Sequence, residues 1–348
     1  MNTLLITGGY GFIGSHFIRL LHSEKPQWRI VNVDLLTYAG NVDNLADINL
    51  TGNESQYRFV RGDIADSALM REIFETERPE AIVNFAAETH VDRSLVDSAP
   101  FVRTNIEGVR VLLEVAAQCG ISRFLQVSTD EVYGSLTLDE PPFAEDCPLR
   151  PNSPYAASKA AADLLVRAYH HSYGLPTLIT RCGNNYGPYQ FPEKFLPLFI
   201  TNALDDQPLP LYGDGEQVRD WIHAQDHARA VLHVLEHGVT GEVYNIGAAG
   251  ERTNKFMAEW VLRELGKSPQ LIRHVEDRPG HDRRYALNAA KIHRLGWEPV
   301  ISLEQGLSTT IDWYRRERGW WERIKSGEYR KYYQDLYGRR LMLPTVAK

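Results

Sequence analysis

The sequence predicts an α/β fold, a doubly wound and mostly parallel sheet with a smaller C-terminal α/β unit laid over it. Three observations carry this. Short apolar runs alternate with segments of helical length, a glycine-rich turn follows the first run, and after about residue 182 the texture shifts to Pro, Gly and aromatic residues. The runs are TLLIT (3–7), IVNV (30–33), YRFV (57–60), AIVNF (81–85), RFLQV (123–127) and TLIT (177–180). Val102, Ile106, Val109, Leu113 and Ala116 keep a helical period between the fourth and fifth runs. Another helix is expected to start after Pro154 and end at Gly174, a residue suited to a left-handed cap. Loops such as GNNYGPYQFPEKFLP then mark the second unit. The expected division is 1–182, with a return segment near 215–245, and 183–348. There is no internal repeat.

Composition narrows the function classes. The 348 residues are 43% hydrophobic and 24% charged, which suits a globular chain. Net charge is -7, so no global basic field draws in nucleic acid or anionic membrane, and an anionic ligand must be held by local cations. Cys119, Cys147 and Cys182 form no CxxC pair, as expected of free thiols in a reducing compartment. The chain opens on a strand-like run with no leader pattern, and no stretch is apolar enough to span a bilayer. A cytoplasmic location is the expectation.

TGGYGFIGSH (7–16) follows the first run and must open a helix, placing Gly8, Gly11 and Gly14 in a GxxGxxG spacing. The first glycine permits the tight turn, the second lets backbone approach a pyrophosphate, and the third lets helix and strand pack closely. Helix amides then face the phosphates. Asp34 closes the second run, where a carboxylate accepts bonds from both ribose hydroxyls and repels a 2′-phosphate, favouring NAD over NADP. Asp63 follows the third run, in reach of an adenine amino group or simply in a turn. Residues 85–91, FAAETHV, put small side chains beneath a dinucleotide.

YAASK (155–159) sets Tyr155 and Lys159 one turn apart on a helix face. In isolation that is an ordinary exposed pair. In a Rossmann chain, a neighbouring ammonium and the nicotinamide charge are expected to lower the Tyr155 pKa, making a base for an alcohol. Asp130 and Glu131, in VSTDEVYG (127–134), read either as a polar turn or as an acid and a base for an elimination.

Together with FAAETHVDRS, NNYGPYQFPEK, VRDWIHAQDH, VYNIG and DRPGHDRRYAL, these motifs cover nearly the whole chain. They resemble the extended short-chain dehydrogenase/reductase superfamily and, within it, the nucleotide-sugar 4,6-dehydratases that act on dTDP-glucose. The resemblance implies a lyase of deoxysugar biosynthesis that oxidises C4, eliminates water across C5 and C6 and reduces C6. Thr129, Asp130, Glu131, Tyr155 and Lys159 would carry the reaction: Tyr155 and Thr129 on the 4-hydroxyl, Glu131 on the C5 proton, Asp130 on the departing 6-hydroxyl. The implied NAD contacts are Gly8, Gly11, Phe12, Ile13, Gly14, Asp34, Thr37, Asp63, Ile64, Phe85, Ala86, Ala87, Thr104, Tyr155, Lys159 and Asn185. Those to the sugar nucleotide are Thr89, Thr129, Asn184, Lys194, Phe195, Pro210, Tyr212, Arg219, Asn254, Arg278 and His281. Lys194 and Arg219 are cations that suit a diphosphate; the alternative for Arg219 is a structural ion pair. A homodimer through the helices around 102–119 and 154–172 is implied as well.

Three departures from the commoner pattern are Tyr10 in the glycine loop, Gly183 before Asn184, and a shortened GAAGERTN (247–254). The alternatives are a UDP-glucose 4,6-dehydratase, a 4-epimerase, or a non-catalytic NAD-binding scaffold. Epimerases generally lack the acid pair. His223 and His227, four apart on an expected helix, offer a metal spacing, but no third ligand accompanies them and no metal is expected. Between Trp313 and Tyr337, eight Trp and Tyr residues read as a packed helix or as a stacking surface for single strands; packing is the expectation.

Overall fold

The computed structural model describes residues 3–48, 50, 55–326 and 328–342. Strands β1 (Thr3–Thr7), β2 (Arg29–Asp34), β3 (Tyr57–Arg61), β4 (Ala81–Asn84), β5 (Arg123–Thr129) and β6 (Thr177–Cys182) follow the apolar runs. After them come β7 (Asn184–Tyr186), β8 (Leu209–Tyr212), β9 (Val218–His223), β10 (Val243–Ile246), β11 (Glu251–Thr253) and β12 (Ile272–Val275). Seven strands form one sheet in the order β10-β6-β5-β4-β1-β2-β3, every neighbour parallel.

Alternate residues of β1 show why such runs become doubly covered strands. Leu4 and Ile6 pack with Phe17, Ile18, Val231 and Leu235 on one face. Leu5 packs on the other, in the cluster that holds Ile73, Phe74, Leu112 and Leu113. Truncating a side chain as buried as Leu5 to Ala costs about 2–5 kcal/mol. Strand order reverses between β1 and β4, and crevices open at the carboxyl ends of such a switch point.

The helix Pro154–Tyr173 is capped by Ser153, whose hydroxyl accepts from Ala156 N at 3.1 Å, and ends on Gly174 in the left-handed conformation, φ +68°. The periodic segment after the fourth run differs from a plain helix. Ala99–Phe101 is a short α-turn, Val102–Gly108 is a π-helix, and Val109–Cys119 is α-helical. Asn105, on the widened turn, bonds both the backbone of Glu88 and Ser158 Oγ, tying the β4 loop to the helix Pro154–Tyr173.

The return segment is also divided. The helix Ala224–His237 and β10 join the main sheet, whereas β9 pairs with β7 and β11 in a second sheet. β8 and β12 make a third. A separate core, with Phe199, Leu211, Trp221, Met257 and Ile311, lies beneath these sheets, and Trp320, Trp321 and Tyr337 of the aromatic stretch are buried in it. No helix among the described residues is long and apolar enough to cross a membrane.

Candidate active site

A cleft of about 300 Å³ runs along the carboxyl edge of the main sheet. Gly8 adopts φ +70° at its start, where a Cβ would lie 2.6 Å from Ala86 N. A Cβ on Gly14 would meet Gly8 O and sit 2.9 Å from Gly9 Cα, so this glycine is needed for helix–strand contact. Gly11 is different. A Cβ there meets only Gly8 O, at 3.1 Å, so its open side belongs to the cleft. It is the N-cap of the helix Phe12–Glu24 and brings no capping side chain, which leaves the first-turn amides for an anion.

All sixteen residues named above as cofactor contacts line this cleft, as do Thr129, Asp130 and Glu131. Asp34 is already engaged: its oxygens accept from Tyr10 N (2.9 Å) and Leu36 N (2.8 Å). Those bonds fix the carboxylate and leave each oxygen a further lone pair. Burial pushes its pKa up. Asp63 is paired with Arg103, which donates through Nε and Nη2 to Oδ2 at 3.0 and 2.8 Å. Tyr10 fits the loop by packing edge-on to Phe59. Gly183 is required by the backbone, since a Cβ there would lie 2.7 Å from Asp220 O.

At the reacting end Lys159 is 4% exposed, and its Nζ donates to Val127 O at 2.7 Å. Burial lowers its pKa to about 8. The expected lowering of the Tyr155 pKa does not come from the chain's own charges. Burial, then the charge of Glu131, push Tyr155 up, and one of the three Lys159 N–H groups is taken by a carbonyl.

The two adjacent acids diverge. Asp130, 2% exposed, is pushed well above the usual carboxylate range by burial, Glu131 and Asp220. Its Oδ1 accepts from Thr129 Oγ1 at 3.2 Å, and its Oδ2 has no partner among the described residues. Glu131 is also raised by burial, but Arg278, Arg219 and Lys194 pull it back down. Ser128 Oγ, Gln190 Oε1 and His227 Nε2 are further buried polar atoms of the lining with no partner among the described residues.

Of the residues named as sugar-nucleotide contacts, Thr89, Thr129, Asn184 and Lys194 line the cleft; Phe195, Pro210, Tyr212, Arg219, Asn254, Arg278 and His281 lie outside its lining, on the second unit. Lys194 Nζ donates to Thr89 O at 2.7 Å. Arg219 makes no carboxylate pair among the described residues. It donates to Val218 O and Asp282 O (2.8 and 2.9 Å) and lies 4.2 Å over the Tyr285 ring. Arg278 keeps Nη1 unpartnered among the described residues, with its Nε 3.9 Å from Asp92. His281 bonds Asp277 at 2.6 Å, and burial and two neighbouring arginines lower its pKa to about 4. Phe195 packs on Phe199; Pro210 and Asn254 are buried; Tyr212 bonds Asp92 at 3.2 Å.

His223 and His227 do not share a helix face. His223 closes β9 and caps the next helix by accepting from Gln225 N, whereas His227 meets Asn185 at 2.9 Å. Among the described residues there is no group of three or more potential metal ligands. Sequence reasoning missed Glu193 and Glu88, two cleft-lining acids whose pKa values burial raises. Glu193 is bonded by Arg93, itself stacked between Tyr38 and Tyr332 at 3.9 and 4.1 Å. The available signal was Glu193 beside Lys194 in FPEK.

Comparison with known proteins agrees with this geometry. A family model described as GDP-mannose 4,6 dehydratase matches residues 5–310. The chain is 50% identical over 328 residues to a dTDP-glucose 4,6-dehydratase of Streptomyces niveus, covering 93% of this chain and 96% of that one. It is 46% identical over 355 residues to its Escherichia coli counterpart, covering 94% and 97%. Among solved structures, a dTDP-glucose 4,6-dehydratase from Streptomyces venezuelae with NAD bound superposes with a TM-score of 0.88 at 51% identity, covering 93% of this chain and all of that one. A UDP-glucose 4-epimerase of Thermotoga maritima shares the fold at 32% identity and a TM-score of 0.83. With about half of its positions shared along nearly the full length of these relatives, the chain belongs to the dTDP-glucose 4,6-dehydratase family.

Proposed function

We propose that this protein is an NAD-dependent dTDP-glucose 4,6-dehydratase, a lyase forming dTDP-4-keto-6-deoxyglucose. The observation that carries the reading is the Asp130–Glu131 pair: two adjacent carboxyls in one cleft with Tyr155, one driven toward its neutral form and the other facing three cations. Open backbone at Gly11, uncapped helix amides and orphaned buried polar atoms in the lining fit a dinucleotide there. When bound, NAD supplies the hydride acceptor for C4 and the donor for C6.

The chain's own residues do the rest. Tyr155 takes the 4-hydroxyl proton while Thr129 bonds the same oxygen. Burial, and after it the charge of Glu131, hold Tyr155 protonated, so its basic form depends on positive charge brought into the cleft. Once C4 is a ketone, C5 is acidified and Glu131 removes its proton. Asp130, neutral and with Oδ2 unpartnered among the described residues, donates to the departing 6-hydroxyl. Arg219, Arg278 and Lys194 converge electrostatically on Glu131 and suit the sugar diphosphate.

In this reading residues 1–182, with the part of the return segment that joins the main sheet, hold the cofactor, and the rest of 183–348, with Arg219 on β9, mainly holds the sugar nucleotide. Exposed Val102 and Leu164, on the two helices named above, suit a homodimer interface, and the three free cysteines suit the cytoplasm. The test is incubation with dTDP-glucose and, separately, UDP-glucose in deuterated water. Loss of water, a 4-ketone and one deuterium at C5 from the dTDP sugar alone is the expected result. Reaction of the UDP sugar alone would move the assignment to the other nucleotide, and C4 inversion without loss of water would make the protein an epimerase.

A further inference from the structure

His227 is 1% exposed, lines the cleft, and leaves Nε2 without a hydrogen-bond partner among the described residues. Its protonation follows from its neighbours. Asn185 approaches Gly183 O at 3.1 Å, and a carbonyl only accepts, so the Asn185 amide NH2 must face it. Asn185 Oδ1 therefore faces His227 Nδ1, at 2.9 Å, and Nδ1 carries the hydrogen. Burial lowers the His227 pKa to about 3, so the ring is neutral with a single N–H. Nε2 is left as a bare acceptor.

A bare acceptor in this place selects its ligand. It repels phosphate oxygens, which offer no hydrogen, and requires a donor. Asn185 also donates to Cys182 Sγ at 3.4 Å, and Cys182 is the register partner of Thr129 across β5 and β6. His227 thus stands beside the reacting end of the cleft rather than the Asp34 end. Lys159, a donor, suits ribose hydroxyl oxygens there, which leaves the amide N–H of the nicotinamide as the complementary group. We infer that His227, set by Asn185, accepts a hydrogen bond from the nicotinamide carboxamide and so fixes how the ring is presented to the sugar; the inference rests on the NAD reading above.

The experiment compares NAD with its 3-acetylpyridine analogue, in which a methyl ketone replaces the carboxamide and no N–H remains. Dissociation constants are measured for both on the purified full-length chain after cofactor exchange, for wild type and His227→Phe. An unfilled buried acceptor should make wild type prefer NAD by about tenfold, and the variant should lose that preference. Any other difference between the two ligands acts alike on both proteins and cancels in the ratio. A wild-type ratio near one, or a ratio unchanged in the variant, would overturn the proposal. Should the variant fail to fold, isotope-labelled histidine in wild type decides: the His227 Nε2 resonance should move with NAD and stay with the analogue, and an identical response to both would overturn it. Binding of neither ligand would overturn the cofactor reading and this proposal together.

Discussion

Replacing Asp130 with Asn tests the division of labour between the two adjacent acids. Asn keeps the shape of the side chain and an oxygen to accept from Thr129 Oγ1, now 3.2 Å from Oδ1, but it has no carboxylic proton to give. A positioned general acid contributes roughly 100- to 10,000-fold, so elimination should slow by that factor, equivalent to about 3–5 kcal/mol of barrier. Folding should not suffer. A carboxyl raised well above its usual range holds its proton more tightly in the folded chain, so its contribution to stability is complete below the unfolded pKa and is lost as pH rises through the folded one. A neutral Asn removes that pH-dependent loss, and Tm near neutral pH should stay level. The assay follows reduced-cofactor absorbance, deuterium exchange at C5 and release of the keto-deoxy sugar separately. C4 oxidation and C5 exchange should persist while product formation falls and reduced cofactor accumulates. Loss of C4 oxidation, or elimination at the wild-type rate, would refute the reasoning.

Glu131→Gln should instead suppress C5 exchange by about 100- to 10,000-fold with C4 oxidation retained, read by mass spectrometry of recovered sugar; undiminished exchange would move the base elsewhere. Lys159, with its pKa lowered to about 8, loses its charge as pH rises through that value, so turnover should fall along an alkaline limb centred there. A limb near the ordinary lysine value of about 10.4 would contradict the burial argument. Gly14→Ala and Gly11→Ala should separate in thermal melts and NAD titrations. The first forces a Cβ against Gly8 and Gly9 backbone and should cost about 1–3 kcal/mol of stability, whereas the second meets only Gly8 O and should fold yet bind NAD weakly. Equal loss of stability in both would mean that Gly11 serves packing alone.

The strands were legible because the inner ones, β1, β4, β5 and β6, are buried on both faces, which writes a largely apolar run into the sequence, while β3, at the sheet edge and partly exposed, keeps a shorter run interrupted by Arg58. The glycine motif and the Tyr155/Lys159 pair were legible because their chemistry depends on local spacing. What stayed hidden depends on partners far along the chain. The π-turn at Val102–Gly108 keeps the helical spacing of its apolar residues and differs only in a widened backbone that lets Asn105 reach Glu88 and Ser158. His227 read only as half of a metal spacing until Asn185 and Gly183 fixed its hydrogen.

The acid pair is the sharpest case. Asp130 and Glu131 are adjacent in sequence, and nothing in the string VSTDEVYG says which is the acid and which the base. The fold decides by surrounding them differently. Asp130 is buried, has Glu131 and Asp220 as charged neighbours and one oxygen without a partner among the described residues, so its charged form is penalised, with Arg219 and the Thr129 hydrogen bond opposing. Glu131 has Lys194, Arg219 and Arg278, brought from three distant segments, and these favour the charged form that burial resists. An acid and a base of similar intrinsic strength are thereby driven apart, and in the proposed function the same three cations that favour ionised Glu131 also hold the diphosphate. On this argument substrate binding and base strength are coupled: a diphosphate that neutralises those cations should raise the Glu131 pKa, and weakening the cluster through Arg278→Gln should therefore shift the acid limb of C5 exchange upward as well as raise KM. A variant that changed KM with the acid limb unmoved would show that the two functions are separate.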